Sequence, residues 1–170
     1  MASDTDAKRV THYMPTDGET LAAMGRVAIR HGFLDLVLRR TVKTLARITV
    51  DQADLALATE NSSTLRDMIK VFANQALGRN TDANLKVRAL LTRCKMVAER
   101  RNSLFHTQWV EDEESAFLMG AESAMRVPSA ADINGLADEI YNVAQELNGA
   151  RFGAGFIAVA MAARKVTTPD

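Results

Sequence analysis

Apolar residues recur every three to four positions along most of the chain, which is the spacing of one face of an α-helix. The first such segment starts after Thr16 or Asp17, either of which can cap a helix, and continues to about Leu45. Gly32 interrupts this segment and is a candidate kink. Thr49–Gln52 has the form of a capping box and predicts a second, short helix.

The next two predicted helices lie between residues 62 and 106. Ser62 or Ser63 can cap a third helix over residues 65–77, and Gly78 is suited to end it. Asp82 opens a fourth helix, which continues into the segment Glu99–Trp109. The segment with one of the three histidines and the single tryptophan therefore falls at the end of a helix.

Helical spacing is lost after residue 109. Residues 115–119 and 123–127 flank Gly120 and predict either a β-hairpin or an irregular connection. Ser129 then begins a last long helix, which can extend through Phe156. A stretch after it, residues 153–158, matches the spacing GxGxxA, but it follows a helix rather than a strand and so does not indicate a dinucleotide site.

Two glycines near the C-terminus, Gly149 and Gly153, are expected to permit close packing of helices. Four to five helices with short links predict an all-α fold, an antiparallel helical bundle. We expect residues 1–16 to form a flexible tail, residues 17–165 a single domain, and residues 166–170 a second tail. The length of 170 residues suits one domain.

The charge of the chain is balanced overall but uneven locally. Lys plus Arg and Asp plus Glu number 21 each, so no net charge draws the protein to nucleic acid or to a membrane. Residues 79–101 nevertheless hold seven basic residues against two acidic ones, and residues 111–122 hold five acidic residues and no basic one. Such a basic helix can bind phosphate, although a solvated charged face is the commoner explanation.

Neither a metal site nor a cofactor is expected. Cys94 is the single cysteine, and no two of the three histidines have metal-ligand spacing. The N-terminus has no apolar leader, and the longest uncharged run, residues 152–163, is too short to cross a bilayer. A cytoplasmic protein without a membrane partner is therefore expected.

Arg101 is the most unusual residue of the fourth helix, because it lies near the middle of the apolar stripe. A buried arginine needs an anionic partner, which Glu111, Asp112 or Glu139 could supply, or else a ligand or an interface. Arg100, in contrast, continues an exposed row of basic residues at heptad spacing.

Asn102 and His106 are four residues apart and should share one face of the helix with Lys95 and Glu99. Arg101 and His106 are separated by a rotation of about 140°, so they are not expected to converge on a straight helix. Either the helix bends near residue 105, or a second chain completes the pair. A simpler alternative is that Asn102 and His106 only cap the helix end.

The hexapeptide Arg101–His106 resembles the R-x(4–6)-H motif of the HEPN superfamily, in which a polar residue often follows the arginine. Proteins of this superfamily are small helical bundles, commonly homodimers, in which two copies of the motif meet at the dimer interface. Many are metal-independent ribonucleases, including toxins and defence effectors, whereas others bind nucleotides or have no known catalysis.

The resemblance implies that His106 exchanges protons, that Arg101 stabilises charge on phosphorus, and that Asn102 orients His106 or the phosphate. Arg100, Lys95 and Trp109 are candidates for binding the ligand, although an aromatic anchor in the core is the simpler interpretation of Trp109.

The partners implied by the resemblance are a second copy of the chain, an RNA or nucleotide, and an antitoxin or regulatory protein. Leu104 and Phe105 are expected to contribute apolar contacts to the dimer. The alternative function is a non-catalytic helical module that binds a nucleotide or a partner protein through the same surface.

Overall fold

The computed structural model describes residues 11–12, 14–15, 17–111, 116–119 and 124–167, and most of these residues are helical. The helices are α1 (Gly18–Ala46), α2 (Val50–Leu57), α3 (Ser62–Leu77), α4 (Asp82–His106), α5 (Ala130–Gly149) and α6 (Phe156–Thr167). The strands are β1 (Thr11–His12), β2 (Gln108–Glu111), β3 (Ala116–Met119) and β4 (Ala124–Arg126). The predicted helical bundle is confirmed.

Four of the predicted helix starts are found where the sequence places them, and that of α4 is Asp82. The side chain of Asp17 caps α1 by accepting a hydrogen bond of 2.7 Å from the amide of Thr20. Both hydrogen bonds of the Thr49–Gln52 capping box are present at α2, and Ser129 caps α5. These side chains satisfy amide groups that the first turn of a helix leaves without a partner. α1 continues through Gly32.

The start of α3 differs from the prediction. Asn61, rather than Ser62 or Ser63, is the capping residue, and its Oδ1 accepts from the amides of Ser63 and Thr64 at 2.9 and 3.0 Å. Because the cap moves one residue towards the N-terminus, the hydroxyl of Ser62 is left available for another partner. Gly78 ends α3, as predicted, with a φ of 91° that favours glycine.

Four long helices enclose the core, with α1 packed against α5 and α3, and α4 packed against the same two helices. Their inward side chains are apolar and almost fully buried. The largest of them are Leu34, Leu38, Leu65, Ile69, Leu77, Leu91, Ile133, Ile140 and Leu147. The helical periodicity of the sequence reflects this burial.

The helices do not all alternate in direction. Polar contacts join α1 to α5 at a constant sequence separation of 108, so these two helices run in the same direction. Arg93 pairs with Glu146 and Arg100 with Glu139, so α4 and α5 are antiparallel. The short helix α2 carries the chain back along α1 before α3 begins. Antiparallel packing therefore holds for α4 and α5 but not for α1 and α5.

A small antiparallel sheet follows α4, with the strand order β1-β2-β3-β4. Of the two alternatives left open for residues 115–127, the structure has the hairpin: β3 pairs with β4, and Phe117 lies opposite Arg126. Gly120 lies outside the described residues. β1 and β2 were not predicted, and β1 belongs to the expected N-terminal tail. Val110 and Leu118 are buried, which attaches the sheet to the bundle.

The last predicted helix is divided into α5 and α6 by a tight turn. The carbonyl of Ala150 accepts from the amide of Ile157 at 2.9 Å, so α6 starts against the end of α5. The expectation that Gly149 and Gly153 permit close packing is wrong, because a Cβ at either position meets no heavy atom within 4 Å. The close approach is at Gly155, where a Cβ would lie 2.3 Å from the carbonyl oxygen of Gly149.

Candidate functional site

The predicted motif lies in the last two turns of α4, and the side chains of Arg101, Asn102 and His106 form one cluster. Nη1 of Arg101 donates to Oδ1 of Asn102 at 3.0 Å and lies 3.4 Å from Nε2 of His106. Arg101 and His106 therefore meet within one chain, on a helix that is continuous from Asp82 to His106, so the alternative in which a second chain completes the pair is not required. Backbone rotation does separate them, but the long arginine side chain covers the distance, and no second chain is needed for the contact.

The chemistry of the guanidinium group determines how the cluster is arranged. A guanidinium only donates hydrogen bonds, so a hydrogen bond between Arg101 and His106 needs Nε2 as the acceptor. Asn102 accepts from Arg101 through its amide oxygen, and its amide nitrogen remains to donate to a ligand. Asn102 thus holds Arg101 rather than His106. Among the described residues, no hydrogen bond joins Asn102 to His106.

The cluster combines a fixed cation with two accessible polar groups. Asn102 and His106 are exposed, whereas Arg101 is partly buried and its Cζ lies 5.1 Å from the centre of the Phe105 ring. Cation–π attraction of this kind favours a guanidinium held near the ring. Phosphate oxygens could therefore reach a pre-oriented arginine and an imidazole at the same helix end.

The other predicted ligand-binding residues of α4 lie outside this cluster. Arg100 forms an ion pair with Glu139 of α5, and Lys95 lies 3.6 Å from Glu99 on its own helix. Glu139 is therefore the partner of Arg100 and not of Arg101, which corrects one of the pairings considered for Arg101. Both basic residues have an ordinary structural role as surface ion pairs.

The aromatic and apolar residues beside the motif pack against their own chain. Trp109 donates from Nε1 to the carbonyl of Leu104 at 3.0 Å and is partly buried against the core, which favours the anchor interpretation. Leu104 is 4% exposed, so its expected contact with a second chain is wrong. Phe105 is also partly buried against the core.

The structure also reveals a polar cleft that combines Arg101 and Asn102 with residues that the sequence analysis did not consider for a site. A cleft of about 390 Å³ lies between α1, the start of α3 and α4. Its polar lining consists of His31, Asp35, Asn61, Ser62, Ser63, Arg66, Arg101 and Asn102. Arg101 and Asn102 thus belong both to the motif cluster and to this cleft. The sequence spacing of His31 and Asp35, four residues apart on a predicted helix, indicates that these two side chains can pair. Nothing in the sequence indicates that Ser62 and Arg66 lie near them.

Asp35 organises one wall of the cleft. Its Oδ2 lies 3.4 Å from Nδ1 of His31, and its Oδ1 accepts from the hydroxyl of Ser62. Burial raises the pKa of Asp35, but the hydrogen bonds from His31 and Ser62 and the positive charge of Arg39 outweigh burial, and the pKa lies below its usual value. Both carboxylate oxygens are therefore engaged, and the group stays ionised near neutral pH.

Neither thiol nor metal chemistry has support among the described residues. Burial raises the pKa of the Cys94 thiol to about 12, so it is protonated and a poor nucleophile at neutral pH. In the same part of the chain, no group of three His, Cys, Asp or Glu side chains could hold a metal ion. The helices that are described also include none long and apolar enough to cross a membrane.

Similarity to known proteins adds no assignment to this geometry. The chain matches no protein-family model, no curated protein and no solved structure. The arrangement of Arg101, Asn102 and His106 at the end of α4, together with the adjoining cleft, is accordingly the basis for any functional conclusion.

Proposed function

We propose that the protein is a metal-independent endoribonuclease of the HEPN type. The observation that carries the proposal is the contact of one guanidinium, that of Arg101, with both Asn102 and His106 at an accessible helix end. The proposal also draws on the resemblance of residues 101–106 to the R-x(4–6)-H motif. Arg101 would bind the scissile phosphate, and His106 would transfer protons.

The reaction is an internal transfer of the phosphodiester. The ribose 2′-oxygen forms a bond to phosphorus, and the bond from phosphorus to the 5′-oxygen breaks. A base accepts the 2′-hydroxyl proton and an acid protonates the leaving 5′-oxygen, which gives a 2′,3′-cyclic phosphate and a 5′-hydroxyl. Histidine suits both proton transfers near neutral pH, and arginine stabilises the negative charge that increases on the phosphoryl oxygens.

The test compares an RNA oligonucleotide with the same oligonucleotide carrying one 2′-deoxy substitution at the cleavage position, both in excess EDTA. We expect cleavage of the RNA to a 2′,3′-cyclic phosphate and no cleavage at the 2′-deoxy position, because that position has no nucleophile. Mass spectrometry identifies the ends. Cleavage of both oligonucleotides, or of neither a varied RNA pool nor tRNA, would contradict the proposal.

A homodimer is part of the proposal, because two proton transfers are served by two copies of His106 when the C-terminal halves of two α4 helices meet. We expect light scattering to show a dimer at micromolar concentration. Ser103→Arg, at an exposed position of that half, should shift the protein towards monomer by bringing two like charges together. Thr92→Arg, exposed and on nearly the same side of α4 but three turns earlier, is the control.

A monomer that cleaves RNA with an undiminished rate at high dilution would contradict the dimeric site.

A partner protein such as an antitoxin belongs to this proposal through the resemblance alone. The polar cleft favours one second candidate, a module that binds a nucleotide without turnover. Binding without any RNA cleavage would replace the first proposal by the second.

A further inference from the structure

The cleft between α1, α3 and α4 carries more positive charge than its own chain neutralises. Arg66 of α3 and Arg101 of α4 both line it, and Asp35 supplies the carboxylate of the lining. Ser62 and His31 already engage the two oxygens of that carboxylate. The lining therefore keeps a formal charge of at least +1 with a neutral His31.

Each arginine has a buried nitrogen that lacks a partner. Nη1 of Arg66 and Nε of Arg101 are inaccessible to solvent and have no hydrogen-bond acceptor in the part of the chain that the structure describes. Leaving a buried donor unsatisfied costs about 1–3 kcal/mol, and more for a charged group. These two nitrogens are closed to solvent, so an oxygen-rich anion in the cleft would contact the other nitrogens of the same two guanidinium groups and would reach the buried ones only if the side chains rotate.

The shape and remaining groups of the cleft favour a nucleotide phosphate. Two guanidinium groups from different helices can both donate N–H groups to phosphate oxygens. The first turn of α3 places the positive end of its helix dipole at the same cleft. Ser63 and Asn102 add polar groups for a sugar or base, and the volume lies within the range of about 300–1,000 Å³ for small-molecule sites.

We propose that this cleft binds a phosphate group of a nucleotide, with Arg66 and Arg101 as its ligands. His31 and Asp35 of α1 line another wall of the cleft. Which phosphate of an RNA occupies the cleft follows only if the proposed function holds. Arg101 contacts His106 and also lines the cleft, so the phosphate bound there would be a neighbour of the scissile phosphate. Arg66 would be a binding residue that the motif does not include.

The test measures binding without cleavage. The probes are inorganic phosphate, AMP, and an RNA hexamer with every 2′-hydroxyl methylated, which cannot form the cyclic product. We expect Arg66→Ala to weaken binding of the hexamer or of AMP at least about ten-fold, the loss expected for one charge-assisted hydrogen bond. Arg66→Lys should retain part of the affinity, because the charge remains but the planar fork does not.

Arg93→Ala is the matched control, since it removes the same charge from an exposed ion pair on α4 outside the cleft. We expect it to change affinity less than about two-fold, the effect of a surface charge. AMP binding assigns the site to free nucleotides, and binding of the hexamer alone assigns it to RNA; both support the phosphate site. Circular dichroism and the melting temperature establish that each variant is folded.

Two results would overturn the inference: no binding of any of the three probes by the wild type, or equal weakening by Arg66→Ala and Arg93→Ala. The outcome is separable from that of the proposed function. Arg66-dependent binding by a protein that cleaves no RNA would reject the ribonuclease and retain the phosphate site. If the wild type cleaves RNA but Arg66→Ala binds the hexamer as tightly as the wild type does, the phosphate site is rejected and the ribonuclease is retained.

Discussion

Replacing His106 with alanine is expected to lower the rate of RNA cleavage by about 10²–10⁴-fold, the usual contribution of a positioned acid or base. The side chain is exposed at the last residue of α4, so its removal should leave the melting temperature nearly unchanged. His106→Gln is the more demanding variant. It retains an acceptor for Arg101 but cannot exchange a proton near neutral pH, and it should be almost as inactive.

His12→Ala is the matched control for this prediction. His12 is exposed on β1, and its backbone pairing with Val110 does not depend on the side chain. We expect its cleavage rate to equal that of the wild type. The rates are measured in EDTA with a fluorescent RNA under single-turnover conditions. Equal rates for wild type and His106→Ala would remove His106 from the mechanism, and residual activity shared by all preparations would indicate a contaminating nuclease.

Replacing Gly155 with alanine is expected to destabilise the fold by about 3 kcal/mol or more, at the upper end of the range for overpacking. The added Cβ would lie 2.3 Å from the oxygen of Gly149 and 2.6 Å from the carbonyl carbon of Ala150. These are backbone atoms at the end of α5, so no side-chain rotation relieves the overlap. The start of α6 must move, and with it Ile157, which is fully buried.

Gly32→Ala is the opposite case and serves as the control. A Cβ there meets no heavy atom within 4 Å, and Gly32 lies inside a continuous helix. Alanine should therefore stabilise the protein by about 1 kcal/mol, the difference in helix propensity. Thermal unfolding followed by circular dichroism checks both: a shift of about 2–4 °C per kcal/mol is expected for a chain of this size. A Gly155→Ala protein that melts with the wild type would contradict the close approach.

The sequence by itself determined the features that depend on neighbouring residues. The starts of α1, α2 and α5 follow from caps at Asp17, Thr49 and Ser129, and the apolar periodicity predicts which helix faces are buried. It also placed the motif at the end of α4. Hydrogen bonds within one turn and the period of 3.6 residues carry this information locally.

Only the tertiary structure decided which distant residues meet. The direction of α1 relative to α5 depends on the return of the chain through α2, and the division between α5 and α6 depends on a carbonyl of Ala150. The contact between Arg101 and His106 depends on side-chain length, which helix rotation alone does not describe. The cleft that joins Arg66 to Arg101 requires three helices to pack together, and core packing, rather than any local pattern, sets their positions.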